Sequence, residues 1–276
     1  MSRSLAQATP ARALWLAPVL LTMLFPLAWM LFLSVQPSAG GLLSLEAFQN
    51  AGFTIRHYAE LLRQAAFARY IWNSVLVAVV VVAANVVTAA MVGYALARSR
   101  NWGSRLLTVA MVATLMLPKQ VLMIPLYLVC GRLGILDTYG ALILPFAVDA
   151  FSIFLVRQYV LGLPAELEDA ARVDGATEFR IFWRIVFPLM KPALAVVAIN
   201  AFLVNWNSFL YPLIFVDSDA LRTLPVGLAL LSQGEHSVNW GLLMAGSTIS
   251  AIPTLAVFLF FQRQILEGIV AGAEKG

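Results

Sequence analysis

The chain has 276 residues, 61% of them hydrophobic and 12% charged, with a mean hydropathy of +0.86. A soluble domain carries roughly 45–50% apolar and 25% charged residues, so that class is excluded and an all-α integral membrane protein is expected. The net charge of +4 has meaning only once the basic residues are sorted by side of the membrane, and one cysteine (Cys130) with two histidines (His57, His236) excludes an internal disulfide and any metal-ligand cluster.

About 20 apolar residues cross a ~30 Å hydrocarbon layer, and runs of that kind occur at 13–35, 71–97, 106–130, 139–160, 193–216 and 242–265. The first is longer than a signal-peptide core and no cleavage site follows it. It is expected to stay as a span, after a tail of residues 1–12, so that residues 13–276 make one transmembrane domain. Six spans place both termini on the same side. Twelve of the 18 lysines and arginines lie on that side, five on the other, and Lys119 on neither. The bias assigns the termini to the cytoplasm, although the basic residues just before the second span oppose it locally.

In the external segment 36–70, Ile55, Tyr58, Leu61, Leu62 and Ala65 recur near helical spacing with Arg56, Glu60 and Arg63 between them. This predicts an amphipathic helix leading into the second span. Small residues crowd two spans, Ala83, Ala84, Ala89, Ala90 and Gly93 in the second and Ala245, Gly246, Ser247, Ser250 and Ala251 in the sixth. Such faces let helices approach closely in a bilayer. Pro118, Pro125, Pro145 and Pro253 are expected to bend their spans. Cys130 reads as a small residue facing lipid or another helix. The external stretch 217–241 carries Asp217, Asp219, Arg222, Glu235 and His236 around Leu224-Pro225, a pattern that suits a partner contact and a solvated loop equally.

Residues 161–192 break the apolar pattern and are too polar for hydrocarbon. Pro164 suits a first helical position, followed by Glu166, Glu168 and Asp169 at the positive end of the helix dipole. That helix is expected to run to about Val173, with Leu167, Ala170 and Ala171 on one face and a Glu168–Arg172 pair on another. Asp174-Gly175 ends it, because glycine takes a left-handed conformation without a Cβ penalty. Thr177 then caps a second helix whose Phe179, Phe182, Trp183 and Val186 form an apolar stripe, with Arg180 and Arg184 elsewhere. Pro188 and Pro192 close the insert. Periodicity alone fits a membrane-surface loop as well as a docking element.

The particular residues favour docking. Asp169-Ala170-Ala171, three residues, Gly175, nine residues, then Ile185-Val186-Phe187-Pro188 resembles the EAA loop of membrane subunits of ATP-binding-cassette importers. The family pattern is Glu-Ala-Ala, three residues, Gly, nine residues, Ile-x-Leu-Pro, so Asp169 and Phe187 are mild departures. Trp206-Asn207-Ser208-Phe209-Leu210-Tyr211-Pro212-Leu213-Ile214, Leu224-Pro225-Val226-Gly227-Leu228, and Gln262-Arg263 with the tail Gly268 to Gly276 extend the likeness to the sugar-permease branch. Asn73-Ser74 and the 53–70 segment also match.

The resemblance implies a permease subunit in a bacterial inner membrane, importing a sugar or sugar-like solute delivered by an external binding protein. It implies two copies of an ATPase subunit, which bind ATP and Mg, and a second homologous permease. The loop would form a coupling helix seated in the ATPase, with Glu168, Asp169, Ala170, Ala171, Asp174, Gly175, Ala176, Ile185 and Pro188 as its docking and turn positions. The tail Ala271–Gly276 reads as a frayed end, or by the likeness as part of the ATPase interface. No G-x-x-x-x-G-K-[S/T] phosphate loop is present in the chain, and no nucleophile–base–acid set can be drawn from two dispersed histidines. The chain is therefore expected to be no enzyme, to hold no cofactor or metal itself, and to bind no nucleic acid.

Lys119 and Asp149 fall near the middle of the third and fourth spans, where charges are costly unless paired or wet. Antiparallel spans bring them to similar depth, so either a pair lining the translocation path or two local arrangements, a snorkelling Lys119 and a backbone-bonded Asp149, follow. Asp149 is not part of the family pattern. Asn200, Asn205, Trp206 and Asn207 suit a polyhydroxylated ligand, and equally interhelical hydrogen bonds. Lys119 leaves room for a phosphate ester such as glycerol phosphate or a glycerophosphodiester. Two rival classes are an ion-coupled secondary transporter using Lys119 and Asp149, and a membrane scaffold that transports nothing.

Overall fold

Hydrocarbon offers no partners for backbone N–H and C=O groups, so apolar segments of this length satisfy them within helices. The computed structural model describes residues 10–37, 52–232 and 238–273, with side chains over 18–37, 52–232 and 238–262. Every regular element among the described residues is helical. His236 and Glu235 lie outside the described residues.

The longer elements are α1 (Pro10–Ser34), α2 (Arg56–Arg63), α3 (Ala65–Arg98), α4 (Trp102–Leu115), α5 (Met123–Arg132), α6 (Tyr139–Ile143) and α7 (Ala150–Leu161). The insert follows as α8 (Glu166–Val173), α9 (Glu178–Ile181) and α10 (Phe187–Leu189), and then come α11 (Lys191–Trp206), α12 (Leu210–Phe215), α13 (Leu224–Leu231) and α14 (Trp240–Ala273). Among the described residues, three helices are long and apolar enough to cross a membrane: Ala65–Arg98, Tyr139–Leu161 and Trp240–Gln262. Two further pairs qualify together but are bent, Trp102–Leu115 with Lys119–Arg132 by 102° and Glu178–Leu189 with Lys191–Trp206 by 73°.

The 102° break corrects the expectation of one continuous third span over 106–130. Its cause is local: Pro118 has no N–H to give, stands extended at ψ 129, and hands the chain to a 3₁₀ turn over Lys119–Leu122 before α5 begins. Pro145 acts similarly, within a 3₁₀ turn (Leu144–Phe146) that separates α6 from α7. Pro253, by contrast, lies inside α14 without ending it. The fifth run, expected over 193–216, is α11 and α12 separated at Asn207–Phe209. The sixth run, α14, continues past residue 265 to Ala273, so the first residues of the tail are helical; residues 274–276 lie outside the described residues.

The chain divides into two compact units. In the unit of Met1–Ala68 with Gly227–Ile252, the predicted amphipathic helix is α2, with His57 and Leu61 turned inward. The hydroxyls of Tyr58 and Ser34 are 2.6 Å apart, His57 Nε2 is 2.8 Å from the Gln36 carbonyl, and the His57 ring packs over Gly241.

The other unit, Arg69–Val226 with Pro253–Gly276, carries the main core. Ala89 and Ala90 of α3 pack with Val156 and Val160 of α7, Ile181, Phe182 and Val186 of the insert, and Leu194 and Val197 of α11. A Cβ on Gly93 would stand 3.0 Å from Val156 and 3.1 Å from the Arg157 backbone nitrogen. The small-residue face of α3 is thus where α7 comes closest. Cys130 is buried between helices, against Ala141 and Phe215.

Polar side chains tie the 217–226 segment down. Asn73 Nδ2 donates to the carbonyls of Ala220 and Arg222, both at 2.9 Å, while its Oδ1 accepts from Tyr139 at 2.7 Å. Ser74 accepts from the Leu224 N–H at 2.8 Å, and Tyr70 donates to Asp219 at 2.6 Å. Asp137 adopts φ 53 and accepts from the N–H groups of Asp217 and Ser218 and from the Ser218 hydroxyl. These bonds, that from the Ser218 N–H first, hold its carboxyl below the usual range. This part of the 217–241 stretch is therefore a fastened structure rather than a loose loop.

Candidate functional site

The insert is two short helices around a turn, as its residues predict, with local differences. α8 begins at Glu166 behind an Ala165 cap, so Pro164 precedes the helix instead of opening it. Its acidic first turn, Glu166, Glu168 and Asp169, still meets the positive end of the dipole. At the other end Asp174 is the C-cap and Gly175 takes φ +79. The Gly175 N–H bonds the Arg172 carbonyl at 3.0 Å and the Ala176 N–H bonds that of Ala171 at 2.9 Å. This double bond pattern is the Schellman termination, which needs the left-handed residue that glycine supplies. Thr177 Oγ1 then accepts from the Arg180 N–H at 3.4 Å and caps α9.

Beyond α9 a π turn covers Phe182–Val186. It redirects the expected stripe: Ile181, Phe182 and Val186 are buried, whereas Phe179 and Trp183 are exposed. Phe179 stacks edge-on against Trp183 at 6.1 Å. Ile185 is half-buried and Pro188, at the start of α10, is exposed.

The two faces of α8 differ sharply. Ala171 and, beyond the turn, Ala176 pack against the core, while Leu167, Asp169, Ala170, Val173 and Asp174 are exposed. Glu168, singled out as a docking position, is only 2% exposed and points into the chain. Its Oε1 accepts from Arg98 at 2.7 Å and its Oε2 from Tyr94 at 2.9 Å, both residues of α3, with Arg172 at 3.5 Å. Arg172 also holds Glu178 and Asp169, each at 2.7 Å. The bond to Glu178, then that to Asp169, raises the pKa of Arg172, and the same guanidinium lowers that of the Glu178 carboxyl. One arginine thereby joins α8 to α9 across the glycine turn.

A second feature is a cavity of ≈ 360 Å³ lined by Lys119, Asp149, Asn200 and Asn205. Lys119 Nζ is 3.5 Å from Asp149 Oδ1. Each partner also has the local arrangement weighed against pairing. Lys119 sits at the Pro118 break, where its carbonyl accepts from Tyr211 at 2.6 Å. Asp149 Oδ2 caps α7 by accepting from the N–H and hydroxyl of Ser152, both at 3.0 Å. Trp206 is buried and stacked on Phe202, and Asn207 bonds the Leu203 carbonyl, so neither lines this cavity. Asn85, Ser152 and Tyr211 do line it and were not foreseen. Asn85 donates to the Phe146 carbonyl at 2.7 Å, a contact 61 residues away that no local pattern announces.

Residues 85–271 match the family described as binding-protein-dependent transport system inner membrane component. The chain is 38% identical over 257 residues to the arabinooligosaccharides transport system permease protein AraQ of Halalkalibacterium halodurans, covering 91% of each chain. It is 33% identical to the trehalose/maltose transport system permease protein MalG of Thermococcus litoralis and 32% to the lactose transport system permease protein LacG of Rhizobium radiobacter, with 92% and 91% of each chain covered. Among solved structures, a chain of a bacterial ABC transporter involved in the import of the acidic polysaccharide alginate superposes with a TM-score of 0.82 at 25% identity, over 95% of this chain and 98% of that one. The match over more than two thirds of the sequence, with relatives aligned along almost their whole length, shows that this chain belongs to the family of inner-membrane components of binding-protein-dependent transport systems.

Proposed function

We propose that this chain is the permease subunit of an ATP-driven importer for a sugar or sugar-like solute, and that α8 is its coupling helix. The observation that carries this reading is the two-faced construction of α8. Its inner side is fixed to α3 through the buried Glu168, and its outer side exposes Leu167, Asp169, Ala170 and Val173 to a partner. A short rigid helix joined in this way transmits a rigid-body displacement from a docked ATPase to the membrane helices. Binding at either end then biases the same two-state element. The small, exposed Ala170 lets the partner approach closely, and the exposed Phe179–Trp183 pair adds apolar surface to the insert.

The sugar class is supported by the named cargoes of the relatives, oligosaccharides, lactose and trehalose or maltose. Six spans complete the reading: α1, α3, the bent α4–α5 pair, α6–α7, α11 with α12, and α14. Residues 13–276 then form one transmembrane domain with both termini in the cytoplasm. Two ATPase subunits supply ATP and Mg chemistry, a second permease completes the path, and an external binding protein delivers the solute.

Gly175→Val tests the assignment. A β-branched residue at φ +79 is strongly disfavoured, so the α8–α9 turn must change while the buried face of α8 stays in place. The expected result is a folded complex in which solute no longer stimulates ATP hydrolysis and uptake is lost. A Gly175→Val importer that binds its ATPase and transports normally would show that α8 is not the coupling element.

A further inference from the structure

Beside the insert lies another cavity, of ≈ 550 Å³, that the coupling reading does not use. Five arginines line it, Arg98, Arg100, Arg105, Arg157 and Arg172, against one carboxylate, Glu168. Arg98 and Arg172 are already bonded to that carboxylate. Arg100, Arg105 and Arg157 have no ion pair among the described residues. The Nε of Arg157 is moreover buried without a hydrogen-bond acceptor. A buried donor left unbonded is costly, and on a guanidinium the cost is greater. Three unmatched positive charges around one such donor describe a site for an anion.

The surroundings specify what carries the anion. The cavity lies where the end of α3, the 99–101 turn, the start of α4 and the end of α7 meet. Trp102, at the head of α4, is 77% exposed, and an exposed indole at a helix end marks the headgroup level of a bilayer. Leu161 lines the cavity, and Leu106 and Leu107 stand exposed one turn further along α4, offering apolar surface where acyl chains would lie. The amino end of α4 adds its partial positive charge. A free phosphate would use the arginines and leave this apolar rim unused.

We infer that this cavity binds the phosphate of an anionic phospholipid, with Arg100, Arg105 and Arg157 as its ligands. Basic cavities between helices on the cytoplasmic side suit such headgroups, and only the placement of this end of α3 in the cytoplasmic leaflet rests on the coupling reading. The site shares a wall with the Glu168 joint. A phosphate there shields the guanidiniums from one another and so strengthens the seat of α8.

The test uses the complete importer, purified with its ATPase and binding protein and exchanged into bilayer discs of phosphatidylcholine with or without phosphatidylglycerol. Lipid retained after detergent release is counted by native mass spectrometry. The wild type should retain phosphatidylglycerol over phosphatidylcholine. Arg100→Gln, Arg105→Gln and Arg157→Gln should each weaken retention roughly fivefold, and Arg157→Lys should keep most of it. Arg100 and Arg105 are exposed, so their variants remain informative if Arg157→Gln fails to fold. Equal retention by the wild type and by the double variant Arg100→Gln with Arg105→Gln would overturn the inference. So would displacement of phosphatidylglycerol by inorganic phosphate, which would assign the site to a soluble anion. Gly175→Val should retain lipid like the wild type, which separates failure of this inference from failure of the coupling assignment.

Discussion

Two charge pairs lie in the same compact unit and are built on opposite plans. Glu168 is almost fully buried and receives Arg98 and Tyr94 of α3 at 2.7 and 2.9 Å. Lys119 and Asp149 meet at 3.5 Å, with the lysine side chain 59% exposed and the aspartate already committed to capping α7. The first arrangement is a joint: the carboxylate cannot leave without stranding a guanidinium. The second is an exchangeable contact, in which water or a polar solute can take the place of either partner. The joint lies at the insert that the coupling assignment needs rigid, and the exchangeable pair lies in the cavity where a path needs adaptable groups.

The largest way to break this comparison is at the joint. Glu168→Ala leaves Arg98 and the Tyr94 hydroxyl without their acceptor, and removing one partner of a buried pair typically costs about 3–5 kcal/mol. The expected outcome is a marked fall in the thermal stability of the complex, with uptake lost even in the fraction that remains folded. Glu168→Gln should recover part of the stability, because the amide still accepts from Tyr94. A Glu168→Ala protein as stable as the wild type would show that α8 is seated by packing alone.

Asp149→Asn sharpens the other side. Asparagine caps a helix as well as aspartate does, so α7 is preserved and only the charge opposite Lys119 disappears. With one partner largely exposed, the stability change should stay within about 1 kcal/mol. Uptake should nevertheless fall, because Lys119 is then uncompensated in the cavity. Unchanged folding with unchanged uptake would remove the pair from the translocation path.

The two regions also differ in how much of them could be read from sequence. The insert is built from near neighbours: Gly175 supplies the left-handed residue, Thr177 the cap, and Glu168–Arg172 one helical turn. All three follow from spacing, and all three are present. Its second helix departs because a π turn over Phe182–Val186 rotates the buried side by a residue, and no propensity scale signals that insertion. Pro118 announced a bend, but not that Lys119–Leu122 would form a 3₁₀ turn and the helices meet at 102°. Aspartate tolerates positive φ better than most residues, but Asp137 finds the N–H groups it accepts from at Asp217 and Ser218, far along the chain. Asn73, Asn85 and Tyr211 likewise acquire their partners 60 to 150 residues away, and periodicity carries no information at that range.

The smallest expected effect lies within the insert itself, at the exposed Arg172–Glu178 pair that ties α8 to α9. Arg172 lowers the pKa of the Glu178 carboxyl from its ordinary 4.5. A carboxylate whose pKa is lower when folded contributes stability that is fully present above the unfolded value and is lost as pH falls through the folded one. Amide-exchange protection across the Gly175–Arg180 turn should therefore be flat at neutral pH and decline only below about 4.5, as Glu178 takes up a proton. Glu178→Gln should lower protection slightly at neutral pH and remove this component of the acid response. At neutral pH the Glu168 joint should keep α8 in place in the Glu178→Gln protein, because Arg98 and Tyr94 hold it independently of Glu178. If the whole of α8 lost protection together with the turn, the insert would be one cooperative unit fastened at Glu178, and the contrast between a buried joint and a surface tie would fail where it is easiest to measure.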